Sequence, residues 1–255
     1  MADRATISIL GFGAFGRLAA AHLAPHADLR VHDPFLPKEG DGPVALPAGA
    51  ALSTLNEAAE ADWIILATPV QAMERALRAL APRVRPGAVV ADVGSVKIRP
   101  VAWMLELLPG HAQVLGTHPM FGPETARERG TIEGEPIALC PARVDDRTLE
   151  RARLLLGERL GLRIIEMTPD EHDRQAALVQ GVTHLIGRAA AEMGLPDLPT
   201  GTLAYRRLLQ MKRNTERDSP DLFEAIQGLN PYADAVRRDF LDALLRTLSG
   251  LEDGA

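Results

Sequence analysis

Gly11, Gly13 and Gly16 stand in a Gly-x-Gly-x-x-Gly spacing between an apolar run, Thr6 to Leu10, and a helix-forming run from Arg17 to Ala24. After a strand and at the start of a helix, that spacing suits a dinucleotide pyrophosphate. The first Gly allows a tight turn, the second lets the backbone approach the phosphates, and the third lets helix and strand pack. The loop Gly11, Phe12, Gly13, Ala14, Phe15 and Gly16 is therefore a candidate cofactor cradle, with helix N–H groups and the positive end of the helix dipole facing the phosphates. A glycine turn without a ligand is the plainer alternative, and the strand-to-helix setting speaks against it. Asp33 follows seventeen residues after Gly16, at the end of a second strand-like run. There a carboxylate accepts both ribose hydroxyls and repels a 2′-phosphate, which favours NAD and leaves NADP as the alternative. Arg30 nearby is the residue that could take such a phosphate, and Asp33 before Pro34 also suits a turn.

Three further segments leave strand ends, the edge where ligands bind in an open α/β sheet. Thr68 and Pro69 border the expected cofactor, although Pro69 equally starts a helix. Asp92 to Lys97 brings Ser95 and Lys97, and Gly116 to Glu124 brings His118. An imidazole titrating near neutrality suits a general base for a hydroxyl whose carbon loses hydride. Taken alone, His118 reads as a satisfied structural residue and Ser95 as a helix cap. Further along, Asp173, Gln180 and His184 are spaced by seven and four. At about 100° per residue they share one face of an otherwise apolar helix, either a solvated edge or one wall of a pocket. No metal site is expected, since the sequence has no His-Glu-x-x-His and no paired Cys.

The elements that must position these residues alternate at first. Strand-like runs at Thr6 to Leu10, Leu29 to His32, Trp63 to Ala67, Ala88 to Asp92, Gln113 to Thr117, Pro136 to Cys140 and Leu162 to Glu166 are interleaved with helical patterns at Val70 to Val84 and Arg147 to Leu160. This implies an α/β fold, a doubly wound, mostly parallel sheet. Past Met167 strand signals disappear, so residues 1–167 form a dinucleotide-binding domain and 168–255 an all-helical one for substrate and dimerisation. Thr168-Pro-Asp-Glu171 is a helix start with a capping box, opening a helix to about Met193 that ends at Gly194. In the last helix Val236, Phe240, Leu241, Leu244, Leu245, Leu248 and Leu251 form a stripe wider than one packing partner needs, which predicts a homodimer. Pro34 to Ala51 reads as an extended loop.

Composition excludes other classes. The chain has 255 residues, 46% hydrophobic and 24% charged, with 28 Lys and Arg against 34 Asp and Glu, a net charge of −6. Dispersed basic residues argue against a nucleic-acid partner. The longest apolar stretch, Trp63 to Val70, is too short for a membrane span, and Met1 to Arg4 lacks the layout of a signal peptide. With Cys140 alone no internal disulfide can form, which fits the cytoplasm.

Taken in order, Gly11 to Gly16, Asp92 to Lys97, Thr117 to Glu124, Glu171-His-Asp173, Gln180-Gly-Val-Thr-His184 and Asn214 to Phe223 resemble the prephenate/arogenate dehydrogenase family of tyrosine biosynthesis. The resemblance implies a Rossmann-type domain and an NAD(P)-dependent oxidative decarboxylation of a cyclohexadienol, driven by aromatisation. It implies that His118 takes or polarises the hydroxyl proton, Ser95 orients that hydroxyl or imidazole, Gln180 and His184 face the substrate, and Lys97 lies beside it. Many prephenate-specific relatives carry Arg where this chain has Asn214. It is more similar to plant arogenate enzymes, which share the Asn and have an acid matching Asp218. Asp218 could pair with arogenate's ammonium, whereas Arg217 could bind a carboxylate and restore prephenate binding. Asp218-Ser219-Pro220 also reads simply as a helix start. Two other classes remain open: a β-hydroxyacid dehydrogenase or imine reductase, and a nucleotide-binding regulator without catalysis.

Overall fold

The computed structural model describes residues 4–36 and 44–252. The expectations for Met1 to Arg4 and for the loop from Pro34 to Ala51 therefore lie partly outside the described residues. The chain divides into two compact units, Met1–Pro169 and Asp170–Ala255.

In chain order the first unit runs β1 (Thr6–Leu10), α1 (Ala14–Leu23), β2 (Asp28–His32), β3 (Ala50–Leu52), α2 (Leu55–Ala59), β4 (Trp63–Leu66), α3 (Val70–Leu80), β5 (Val89–Asp92), α4 (Ile98–Leu107), β6 (Gln113–Pro119), α5 (Pro123–Arg129), β7 (Pro136–Arg143), α6 (Asp146–Arg153) and β8 (Arg163–Glu166). The strands form one sheet of order β3-β2-β1-β4-β5-β6-β7-β8, parallel throughout except for the antiparallel pair β6 and β7. Central strands are apolar on both faces, as a sheet covered by helices on each side requires. One core layer joins Leu66, Met73, Leu77, Leu80, Val90 and Met104. The other joins Ile7, Ile9, Leu23, Val31, Trp63 and Ala152. The strand order reverses between β1 and β4, so the loops after these two strands flank the switch point where ligands bind in such folds.

Several expected boundaries shift. The helix from Val70 stops at Leu80 and tightens into a 3-10 turn, Ala81–Arg83, because Pro82 has no N–H to continue the ladder. The helix expected from Arg147 to Leu160 is α-helical only to Arg153 and widens into a π turn, Leu154–Arg159. The expected loop to Ala51 already pairs as β3 at Ala50. Ser95 is not the N-cap of α4, whose cap position is Lys97.

The second unit contains α7 (Pro169–Ala176), a π turn (Ala177–Val182), α8 (Thr183–Glu192), α9 (Leu203–Arg217), α10 (Pro220–Glu224), a second π turn (Ala225–Leu229) and α11 (Ala233–Glu252). Helices α8 and α9 cross closely at Gly187, where an added Cβ would lie 2.7 Å from Thr215 and 2.8 Å from the Met211 carbonyl. The π turns are tied together. Gln227 Nε2 donates to the Gly181 carbonyl at 2.8 Å, and Arg237 Nη1 donates to the Gln227 carbonyl at 2.8 Å. Leu241, Leu244, Leu245 and Leu248 of α11 are exposed.

Candidate active site

Within the first unit the glycine loop is held from three sides. Gly11 N donates to the His32 carbonyl at 2.9 Å and Ala67 N to the Leu10 carbonyl at 2.7 Å, which pins the loop between the ends of β2 and β4. Gly11 has φ +99, and a Cβ there would sit 2.6 Å from the Ala67 carbonyl oxygen. A Cβ on Gly16 would sit 2.1 Å from the Gly11 carbonyl oxygen, whereas one on Gly13 would meet nothing within 4 Å. Gly11 and Gly16 are thus required by the protein's own backbone, and Gly13 opens onto empty space at the N-cap of α1. That pattern fits a pyrophosphate approaching Gly13 and the first N–H groups of α1, Ala14 and Phe15 among them.

Asp33 makes the turn expected before Pro34 and a second contact, to the glycine loop. Its Oδ1 accepts from Phe35 N at 2.8 Å, a turn contact, while Oδ2 accepts from Phe12 N at 2.7 Å and locks the glycine loop to the end of β2. Arg30, the residue that could take a 2′-phosphate, donates instead to the Glu57 carbonyl at 2.6 Å. Thr68 and Pro69 follow β4, with Pro69 at the N-cap of α3. The Thr68 hydroxyl is buried with no hydrogen-bond partner.

Ser95 and His118 lie at the ends of the adjacent parallel strands β5 and β6, whose register pairs Asp92 with Gly116. Both side chains are buried. Beneath them Asp92 organises the turn: its Oδ2 accepts from Gly94 N at 2.9 Å and from the Lys97 ammonium, and its carbonyl accepts from the Thr117 hydroxyl next to His118. Burial pushes the Asp92 carboxyl above its ordinary value, with Lys97 opposing that shift. Lys97, expected to lie beside the substrate, has no exposed surface and is paired with Asp92, so it fastens the Ser95 loop. A charge pair this deep persists only if its members stay together.

In the second unit the expected polar stripe is divided. Asp173 is fully enclosed; its Oδ1 lies 2.8 Å from His172 Nδ1 and its carbonyl accepts from Asn230 Nδ2 at 2.8 Å. The π turn at 177–182 breaks the 3.6-residue phase, so Gln180 and His184 belong to a different stretch of the helix, half-buried. His184 Nδ1 lies 3.4 Å from Asp218 Oδ2 and has no hydrogen-bond partner. Burial and Arg188 hold the imidazole below its ordinary pKa, so His184 is held towards its neutral form. Asn214 Oδ1 accepts from Gln210 Nε2 at 3.0 Å, and Arg217 is exposed. Asp218 caps the C-terminus of α9, and Ser219 caps α10 through an acceptor contact from Leu222 N at 3.2 Å. The helix-start reading therefore holds for Ser219, and the Asp218 side chain lies near His184.

Residues 44–166 match the family described as "Prephenate dehydrogenase, nucleotide-binding domain", and 189–253 match "TYRAAT1-like, C-terminal domain". A 4-amino-4-deoxyprephenate dehydrogenase of Streptomyces pristinaespiralis is 32% identical over 84% of this chain and 71% of its own length. The chain belongs to the prephenate/arogenate dehydrogenase family. Arogenate dehydrogenases 2 and 1 of Arabidopsis thaliana, named as chloroplastic, are 33% and 32% identical over 89% and 91% of this chain, which spans 64% and 37% of their lengths. The fold of this chain matches that of Synechocystis arogenate dehydrogenase, with a TM-score of 0.66, 22% identity and coverage of 97% and 93% of the two chains.

Sequence reasoning missed the contacts of Asp92 and Arg188. An acid closing a strand five residues before a Lys was a visible signal for the first. Arg188 stands one helical turn after His184, and only the structure shows its guanidinium stacked 5.0 Å above Phe223. Among the described residues no group of three or more metal-ligating side chains is gathered, and no helix is long and apolar enough to cross a membrane.

Proposed function

We propose that the chain catalyses an NAD-dependent oxidative decarboxylation of arogenate to tyrosine, with prephenate the poorer substrate and NADP the poorer cofactor. The observation that carries the substrate reading is the Asp218 carboxylate facing His184, in a chain with Asn214 where prephenate-type relatives have Arg. An acid there attracts an ammonium group and repels the pyruvyl carboxylate of prephenate. Support for the cofactor comes from Gly13 opening on empty space and from Asp33 beside the glycine loop. When bound there, the nicotinamide supplies the acceptor for the hydride leaving the ring carbon that bears the hydroxyl.

The division of labour follows the two units. The first carries the nucleotide at Gly11 to Gly16, Asp33, Thr68 and Pro69. There His118 accepts the hydrogen bond or proton of the ring hydroxyl as its carbon becomes electron-poor, and Ser95 orients that hydroxyl. The second carries Gln180, His184 and Asp218 for the substrate. Loss of carbon dioxide from the opposite ring carbon returns an electron pair to the ring, and aromatisation makes the step irreversible. Because the Streptomyces relative is named for an amino-substituted prephenate, that compound is the third substrate to test. We further propose a homodimer through the exposed leucines of α11, and a reducing compartment, in keeping with a sequence whose single Cys can form no internal disulfide.

The test is the initial rate of nicotinamide reduction at 340 nm with arogenate, prephenate or 4-amino-4-deoxyprephenate against NAD or NADP. Arogenate with NAD should give the highest kcat/KM. A higher value with prephenate would discard the role given to Asp218, and no turnover with any pair would discard the activity.

A further inference from the structure

The α-amino acid end of arogenate carries two opposite charges, and Asp218 accounts for one of them. A carboxylate also needs a cation, and the position that supplies Arg in prephenate-type relatives holds Asn214, whose amide oxygen is already engaged by Gln210. Within the helical unit the structure offers another cation. Arg188 lies one turn beyond His184 on α8, its guanidinium sits 5.0 Å above the ring of Phe223, and its Nε is buried with no hydrogen-bond partner. The charge of Arg188 also acts on the His184 imidazole, so the guanidinium and the Asp218 carboxylate both lie near His184. Residues four apart on a helix have Cβ atoms about 5–6 Å apart. Each charge of an α-amino acid then needs a partner of opposite sign within about 2.7–2.9 Å. A cation and a carboxylate beside the same side chain offer partners for both charges of a zwitterion.

We propose that Arg188 binds the side-chain carboxylate of the substrate while Asp218 binds its ammonium group, so that the pair recognises an L-α-amino acid. Phe223 keeps the guanidinium plane fixed, which lowers the ordering cost of each contact. This assignment rests on the arogenate reading, in which the product, tyrosine, keeps the same amino acid group.

Binding of product-like probes to the full chain, measured by calorimetry with and without NAD, tests it without requiring turnover. L-Tyrosine carries both charges, tyramine lacks the carboxylate and 3-(4-hydroxyphenyl)propionate lacks the ammonium. Arg188→Gln should weaken tyrosine and hydroxyphenylpropionate by about 10–100-fold and leave tyramine within about two-fold. Asp218→Asn should do the reverse, weakening tyrosine and tyramine only. Arg188→Lys should recover part of the loss. Arg188→Met, which keeps the apolar stem over Phe223, should melt like the wild type yet bind like Arg188→Gln. Equal loss for all three probes, no loss for any, or no binding of any probe by the wild type would overturn the assignment. If the wild type prefers hydroxyphenylpropionate to tyrosine, the arogenate reading fails by itself, and the hydroxyphenylpropionate arm still decides for or against Arg188.

Discussion

In the α/β unit, side chains without exposed surface include Ile9, Ile64, Leu66, Met73, Leu77, Leu80, Met104 and Leu139. In the helical unit the buried apolar positions are mostly alanines, namely Ala176, Ala177, Ala190, Ala225 and Ala233, joined by Leu209 and Ile226. Large side chains buried on both faces of a sheet contribute about 1.5–3 kcal/mol each, and the first unit accumulates many of them. The helices of the second approach each other through small residues such as Gly187, and Leu245 and Leu248 remain 61% and 57% exposed. A rigid sheet edge can therefore hold catalytic groups in fixed places, while a helical unit with a thin core holds its polar groups by individual contacts. Substitutions at the two sets of residues should behave differently.

The largest effect is expected at His118. Replacing it with Asn should lower turnover by about 10²–10⁴-fold, because a general base is lost, while nucleotide affinity measured by fluorescence titration stays unchanged. Turnover within ten-fold of wild type would remove His118 from the chemistry and leave the first unit as scaffold and nucleotide cradle alone.

Next is the buried pair beneath Ser95. Lys97→Met leaves the Asp92 carboxylate enclosed without its partner and should cost about 3–5 kcal/mol in urea unfolding, whereas Asp92→Asn combined with Lys97→Met should recover most of that loss. Equal stability of the single and double variants would show that the pair does not hold the loop.

The glycine loop separates stability from binding within a few residues. Gly16→Ala places a methyl group 2.1 Å from the Gly11 carbonyl oxygen and should cost on the order of 1–3 kcal/mol. Gly13→Ala meets no protein atom and should leave the melting temperature unchanged while weakening NAD. If both variants melt alike, the distinction between structural and ligand-facing glycines fails.

The smallest effect belongs to the helical unit. His184 faces Asp218 and Arg188, and its pKa in the folded chain lies below the ordinary 6.5. The unfolded chain therefore binds more protons just below that pH. Stability should be full above pH 6.5 and fall as the pH drops below it, towards the folded-state value. His184→Gln should flatten that slope in melts between about pH 5 and 7; an unchanged slope would place the pH dependence elsewhere.

Much of the α/β unit could be read from the chain because its signals are local. A glycine spacing, an Asp at a strand end and apolar runs of strand length each depend on a few consecutive residues, and the parallel sheet follows from their alternation. The helical unit was less legible. Its π turns at 177–182 and 225–229 leave no simple mark in a pattern read at 3.6 residues per turn, so the polar stripe from Asp173 to His184 was drawn as one face, where the structure divides it.

Sequence alone determined the glycine loop between strand and helix, the strand-end positions of Ser95 and His118, and the change of architecture near residue 167, since each is written in residues adjacent in the chain. Tertiary structure decided what pairs with what. It enclosed Lys97 against Asp92, turned Arg30 to the Glu57 carbonyl, set Asp218 opposite His184 and laid Arg188 over Phe223. Charged side chains take whichever partner packing brings within reach, and the energy of burying them unpaired makes that choice binding.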